Sequence, residues 1–213
     1  MGALHRYMKK IFATLLTLIL FCIAVDAHGA MSAAKILQKS ADALLSSGGI
    51  TTSCTYKAGS YVEKGTLNVK GKMFSIISSS HSIWYNGKSL WTLDTSENEV
   101  SLTAPTAAEA ATMNPYLLVS NYKTEYTATL VKSNVKGTYA IQLIPKSRQH
   151  FIKTATLCVR SSNYMPVRLD IADKTGAKYS IYISNIKTGV KLSESNFIFP
   201  TSKYPGVKLI DLR

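Results

Sequence analysis

The chain has 213 residues, of which 46% are hydrophobic and 17% are charged. This balance excludes an intrinsically disordered protein, and the length fits one domain with a substantial core. Lysine and arginine exceed aspartate and glutamate by 25 to 12, which gives a formal net charge of +13, but the basic residues are scattered and form no block of like charge.

The first 27 residues are typical of a secretory signal peptide. Lys9 and Lys10 precede a run of apolar and small residues at positions 11–25, and small side chains favour cleavage after Ala27. On this interpretation residues 1–7 are an upstream extension.

Two alternatives compete with the signal peptide. A membrane anchor would need an apolar run of roughly 20 residues, longer than the one present. Lipid attachment at Cys22 is disfavoured by the bulky Phe21 before it. We therefore expect a periplasmic protein in which residues 28–213 form one domain. For an exported protein, the excess positive charge favours an anionic membrane surface or an acidic partner as the ligand. We do not expect it to bind nucleic acid.

The remaining sequence predicts one helix followed by many strands. Residues 32–47 predict an amphipathic helix that begins at Ser32 and ends at Gly48-Gly49. Short connections, including the Asn86-Gly87 hairpin signal, imply an antiparallel meander that curls into a barrel or splits into a sandwich. The predicted strands are residues 51–61, 66–70, 73–78, 83–85, 90–94, 99–103, 125–132, 138–144, 154–160, 166–172, 177–187, 197–200 and 207–212.

A helical insert interrupts the strands between residues 104 and 119. Thr106 and Glu109 have the spacing of a capping box, and Asn114-Pro115 places a cap before a proline at the first helical position. This insert is available to cover the open end of a curved sheet.

Nine apolar residues on the strands and the insert are the candidate binding site. They either fill an ordinary core or line a cavity, because an open curved sheet exposes a concave face that a helical lid would shield. A cavity of this kind suits an acyl chain, since each buried methylene contributes roughly 0.8 kcal/mol. The candidates are Phe74, Ile76, Trp84, Trp91, Leu93, Met113, Tyr116, Leu117 and Leu118.

Residues able to support catalysis are few. Beyond the leader the histidines are His28, His81 and His150, and none has a second histidine or cysteine at metal-ligand spacing. The sequence lacks nucleophile elbows, phosphate loops and dinucleotide fingerprints. We therefore expect no catalytic residues, no metal and no cofactor, with a cysteine nucleophile paired with His150 as an open alternative.

Removal of the leader leaves two cysteines, Cys54 and Cys158, on separate predicted strands. In an oxidising compartment they either pair as a disulfide or stay as two small buried side chains. The sequence does not decide whether their strands are neighbours.

Three motifs resemble the LolA family of periplasmic lipoprotein carriers. They are segment 84–94 with its Asn-Gly-Lys turn, the Asn-Pro-Tyr-Leu-Leu segment 114–118, and the C-terminal Gly-Val-Lys-Leu-Ile-Asp-Leu-Arg segment 206–213. The resemblance spans residues 32–213. It implies a mainly β (α+β) fold: a strongly curved, unclosed antiparallel β-barrel with an N-terminal helix and a helical lid.

The resemblance also implies a function. It implies a carrier that binds lipoprotein acyl chains, or another lipid, and moves lipoproteins from an inner-membrane exporter to an outer-membrane acceptor. We expect a monomer. The positions that fall where the family lines its cavity are Phe74, Trp91, Tyr116, Leu117 and Leu118.

One position departs from the family pattern. The family often has an arginine that latches the lid through backbone carbonyls, and this chain has Lys70 there. Lysine keeps the charge but lacks the planar fork of arginine, so Lys70 is either a weaker latch or a surface residue. The competing functions are a LolA-like envelope sensor or binding module without a shuttle role, and a secreted hydrolase.

Overall fold

Residues 31–213 are described by a computed structural model, in which they form three helices and one sheet of twelve strands. The helices are α1 (Ala33–Ser46), α2 (Ala107–Met113) and α3 (Pro115–Glu125). The strands are β1 (Gly49–Ala58), β2 (Tyr61–Lys70), β3 (Met73–Ser78), β4 (His81–Tyr85), β5 (Leu90–Asp94), β6 (Glu99–Thr103), β7 (Tyr126–Val131), β8 (Thr138–Pro145), β9 (Ile152–Arg160), β10 (Pro166–Asp173), β11 (Lys178–Thr188) and β12 (Lys208–Asp211). The predicted signal peptide lies outside the described residues.

Most strands pair with the strands next to them in sequence. The order across the sheet is β12-β6-β5-β4-β3-β2-β1-β11-β10-β9-β8-β7, and every pair is antiparallel except β12 with β6. Strands β12 and β7 are the two edges, so within the described residues the sheet is not closed. The predicted mainly β, unclosed architecture is therefore confirmed.

Register divides the strand residues between two faces, because directly paired residues point to the same side of a sheet. Pairing connects Ile183 on β11 with Cys54 on β1, Gly65 on β2 and Ser78 on β3. We call the side on which these residues lie the inner face, and the opposite side the outer face.

The helices begin at the caps that the sequence predicts. Ser32 caps α1, Thr106 and Glu109 form the capping box of α2, and the Asn114 side chain accepts a hydrogen bond from the backbone N–H of Tyr116. Helices α1 and α3 pack on each other and on β7. The end of α2 reaches the inner face of the sheet.

Residues 189–207, which we call the C-terminal arm, connect β11 to the distant edge strand β12. At its start, the backbone N–H of Val190 donates to the carbonyl of Gly49 at 3.0 Å. A Cβ at Gly49 would lie 2.1 Å from the Val190 carbonyl oxygen, so this approach requires glycine. The arm crosses the outer face, and this long crossover allows β12 to run parallel to β6.

The predicted strand at residues 197–200 is wrong, because this segment belongs to the arm and its first residue ends a short 3-10 helix, Glu194–Phe197. Phe197 and Phe199 are buried whereas Ile198 is 41% exposed. Buried and exposed side chains therefore alternate as in a strand. The alternation arises because one side of this segment packs on the sheet, and the segment does not pair with any of the twelve described strands.

Candidate functional site

An open cavity of about 670 Å³ lies on the inner face, between the middle of the sheet and the end of α2. Buried side chains of Cys54, Leu67 and Ile181 line it. Half-buried Ile83 and Met113 add further apolar walls from β4 and α2. The volume lies within the range of roughly 300–1,000 Å³ that ligand pockets occupy.

Gly65 lets β2 and β3 approach each other closely beside this cavity. It lies on β2 between Cys54 on β1 and Ser78 on β3, and it lines the cavity. A Cβ at this position would lie 2.6 Å from the backbone carbonyl oxygen of Ile77. A side chain would therefore collide with β3, and only glycine fits.

Three tyrosines from adjacent strands form a contiguous aromatic row in the cavity lining. The ring of Tyr56 on β1 lies 6.1 Å from that of Tyr61 on β2 and 5.7 Å from that of Tyr179 on β11. Tyr56 and Tyr61 are 36% and 44% exposed, so this row marks the mouth of the cavity. Such rings combine an apolar body with a polar tip, which suits a boundary between lipid and water.

Glu63 supplies an ionised group beside the tyrosines. Its carboxylate accepts hydrogen bonds from the hydroxyls of Tyr61 (2.5 Å), Ser78 (2.5 Å) and Ser80 (2.8 Å), and from the backbone N–H of His81 (3.1 Å). Burial alone would raise the pKa of Glu63, but these hydrogen bonds outweigh burial and lower the pKa to about 2. The mouth therefore carries a fixed negative charge at neutral pH.

His81 lies between two carboxylates at the same end of the cavity. Its Nδ1 is 3.5 Å from Glu63, and its Nε2 is 3.5 Å from Asp94 on the neighbouring strand. Hydrogen bonds from Ser96 lower the pKa of Asp94. Glu63 and Asp94 thus flank His81 at this end of the cavity, and the lining also includes Lys64.

Of the nine predicted site residues, only Ile76 and Met113 line this cavity. Phe74 lies two residues before Ile76 on the same face of β3, but it is fully buried with its ring 5.3 Å from that of Tyr85. Three others are buried residues of α3 and are also outside the lining: Tyr116, Leu117 and Leu118. Their packing role explains why the insert is apolar.

The prediction that Trp84, Trp91 and Leu93 line a cavity with Ile76 is wrong. Trp84 pairs directly with Trp91 on the outer face, whereas the next pair, Ile83 with Thr92, is on the inner face. Trp84 and Leu93 are buried in a cluster with Phe199 of the C-terminal arm, and Trp91 packs against that cluster. These three residues pack against the C-terminal arm and do not contribute to the cavity.

Lys70 forms a latch-like contact, but with a different partner from the one predicted. Its Nζ donates to the backbone carbonyl oxygen of Leu192 at 2.8 Å. Leu192 belongs to the C-terminal arm and not to the helical insert. The lid-latch prediction is therefore wrong in its partner, because the arm runs past the end of β2.

The structure contains no Cys54–Cys158 disulfide, since both thiols are free and buried. Strand β1 is separated from β9 by β11 and β10, which places the two residues roughly 14 Å apart at 4.8 Å per strand. Register also places them on opposite faces, because Cys158 pairs with Arg168 and not with the inner-face Leu169. Burial raises the pKa of Cys54 to about 11.

The residues of the cavity mouth are not among those that the sequence predicts. Two features of the sequence could have pointed to them. The chain has 12 tyrosines, and polar and apolar residues alternate in the strands around Tyr56 and Tyr61. The sequence does not show that β11 pairs with β1, and this pairing brings Tyr179 beside Tyr56 although the two residues are more than a hundred positions apart.

Within residues 31–213, no helix is long and apolar enough to cross a bilayer. The same residues contain no group of three or more histidine, cysteine, aspartate or glutamate side chains placed to hold a metal ion.

Residues 23–175 match the family described as outer membrane lipoprotein carrier protein LolA. The chain belongs to the LolA family. This confirms the resemblance drawn from segments 84–94 and 114–118, while segment 206–213 lies beyond the matched residues. The matched family is thus one of carrier proteins.

Solved structures resemble this LolA-family chain at low sequence identity. An uncharacterized conserved protein from Thermus thermophilus is 11% identical with a TM-score of 0.55, and the match covers 83% of this chain and 97% of that chain. The LolA superfamily protein NE2245 from Nitrosomonas europaea is 15% identical with a TM-score of 0.43, covering 79% and 98%. A chain of the Pseudomonas aeruginosa MucA/MucB complex is 12% identical with a TM-score of 0.43, covering 78% and 60%. No curated protein matches the chain.

Proposed function

We propose that this chain is a periplasmic carrier that holds the acyl chains of lipoproteins in the inner-face cavity and moves lipoproteins from the inner to the outer membrane. Residues 1–27 direct its export in this proposal. An inner-membrane exporter supplies the cargo and an outer-membrane acceptor receives it. Membership of the LolA family supports this function, and the chemistry it requires is binding and release, without catalysis.

The observation that carries the proposal is the open apolar cavity on the inner face, between the sheet and the end of α2. Its lining is dominated by aliphatic and aromatic side chains, including Leu67, Ile83 and Ile181. Burying about ten methylenes of an acyl chain contributes roughly 8 kcal/mol before the free-energy cost of association is subtracted. Because this contribution comes from apolar area and not from specific polar contacts, the same cavity accepts chains of different length.

The mouth is suited to the polar end of such a ligand. The tyrosine row offers hydroxyls at the water boundary, and Glu63 is ionised there. The acyl chain then lies on the apolar floor while the linkage to its headgroup or protein remains near solvent.

Two neighbouring isoleucines on β3 provide a matched test. Ile76 lines the cavity, whereas Ile77 points to the outer face and is 37% exposed. In Ile76→Glu, a carboxylate would enter the apolar cavity, and we expect a fluorescent fatty-acid probe to bind at least about 100-fold more weakly. Ile77→Glu places the same charge on the same strand, so its affinity should equal that of the wild type.

Circular dichroism would first establish that both variants fold. A folded wild type that binds no acyl probe, and that carries no lipid in native mass spectrometry, would exclude the carrier function. Acyl binding that depends on Ile76, without transfer of a lipoprotein out of inner-membrane vesicles, would favour the alternative of a LolA-like sensor or binding module.

A further inference from the structure

The outer face contains a second opening, a groove of about 540 Å³ that is separate from the inner-face cavity. One wall is the β7–β8 loop, residues 132–137, and the other side is formed by β9, β10 and β11. Its lining includes Lys136, Arg160 and Arg168 beside Tyr182. The groove is thus basic.

Strand register brings these cations together. Arg168 pairs with Cys158, and Arg160 lies two residues farther along the same face of β9, so the Cα atoms of the two arginines are roughly 8 Å apart. The Arg168 guanidinium carbon lies 4.9 Å from the centre of the Tyr182 ring. The Nζ of Lys57 lies 5.3 Å from the centre of the same ring.

One carboxylate partly balances this cluster. The Nε of Arg168 donates to Asp170 at 2.9 Å, and within residues 31–213 its terminal amino groups make no hydrogen bond. Among the ion pairs of residues 31–213, none includes Lys136 or Arg160. Like charges held this close repel each other unless an anion lies between them.

The loop that forms the wall is held in shape by its own hydrogen bonds. The hydroxyls of Ser133 and Thr138 lie 2.7 Å apart, the backbone N–H of Val135 donates to Ser133 at 3.1 Å, and Thr138 donates to the Val135 carbonyl at 2.8 Å. The backbone that carries Lys136 is therefore already held in place. An anion that enters the groove does not have to order this loop, so the entropic cost of binding is lower.

We propose that this groove is a binding site for a phosphate group, carried either by a free soluble phosphate or by a phospholipid headgroup. The planar donors of arginine match the tetrahedral oxygens of phosphate, and Lys136 adds a third positive charge from the facing wall. The site shares no lining residue with the inner cavity. Phosphate binding and acyl binding can therefore be tested independently.

The test compares two double variants that each remove two positive charges. Arg160→Gln with Arg168→Gln removes charge from the groove. Lys187→Gln with Lys203→Gln removes it from exposed positions outside the groove. Inorganic phosphate is titrated while the amide NMR signals of loop 132–137 are followed, and flotation is measured with phosphatidylglycerol-containing and pure phosphatidylcholine vesicles.

We expect the wild type to respond to phosphate or to phosphatidylglycerol vesicles, and the groove variant to bind at least about tenfold more weakly. The control variant should match the wild type. A response to inorganic phosphate assigns a free-phosphate site, and a response to vesicles alone assigns a headgroup site. Because Arg168→Gln also breaks the Asp170 contact, the single variant Lys136→Gln repeats the test with that contact intact.

Three results would overturn the assignment. The first is no response to either probe by the folded wild type. The second is an equal loss in both double variants, which would show that only overall charge matters. The third is binding of an aspartate-rich peptide at loop 132–137 with no response to phosphate or vesicles.

Discussion

The packing of the C-terminal arm on the outer face leads to a defined stability prediction. Phe199 is 8% exposed, and its ring lies 5.4 Å from Trp84 in an edge-to-face arrangement and 5.4 Å from Tyr204 in a stacked one. Replacing a buried phenylalanine by alanine costs about 3–5 kcal/mol, of which each aromatic pair supplies about 0.5–1.5 kcal/mol. For Phe199→Ala we expect about 3 kcal/mol, since an arm on the surface of a sheet can partly collapse into the space.

Urea unfolding followed by circular dichroism would measure this loss. A domain is stable by about 5–15 kcal/mol, so the variant should still fold. Ile198→Ala is the matched control, because Ile198 is the exposed neighbour and should change stability by no more than about 0.5 kcal/mol. Equal losses in the two variants, or weaker acyl binding by folded Phe199→Ala, would refute the assignment of this cluster to the outer face.

Two further predictions concern titratable groups. Because the pKa of Glu63 is lowered from 4.5 to about 2, its ionised form stabilises the fold above pH 4.5, and this contribution disappears as the pH falls toward 2. Glu63→Gln should therefore flatten the loss of stability between these pH values, and an acid-unfolding profile unchanged from that of the wild type would contradict this. Burial raises the pKa values of Cys54 and Cys158, so iodoacetamide should label both at about pH 8 only after unfolding, as read by peptide mass mapping. A disulfide-linked peptide pair from oxidised protein would show that the strand order is wrong.

Local signals predicted the elements well. The strands at residues 90–94 and 99–103 have the predicted bounds, and the capping box at Thr106 and Glu109 forms as expected. These features depend on neighbours within a few residues, such as an alternating pattern or a side chain that accepts from the third N–H of a helix. They are therefore present in the sequence before any tertiary contact exists.

The two faces of the sheet could not be told apart in the same way. On β4, Ile83 lines the cavity and Trp84 points away from it, yet both are apolar. In a sheet with one wet face, alternation would identify the buried side. In this protein the C-terminal arm covers the outer face at β4, β5 and β6. Both faces of β4 are therefore apolar, and the pattern does not show which of them lines the cavity.

By itself, the sequence determined most of the helices and strands and the antiparallel class, because these follow from local periodicity and caps. Three short motifs gave the LolA resemblance, and that resemblance implied the unclosed barrel. Only the tertiary structure decided which residues line the cavity, that Lys70 binds the arm, and that Cys54 and Cys158 lie three strands apart on opposite faces. These outcomes depend on the pairing of β1 with β11 and on the path of the arm. Both join residues more than a hundred positions apart, and no local pattern encodes such a pairing.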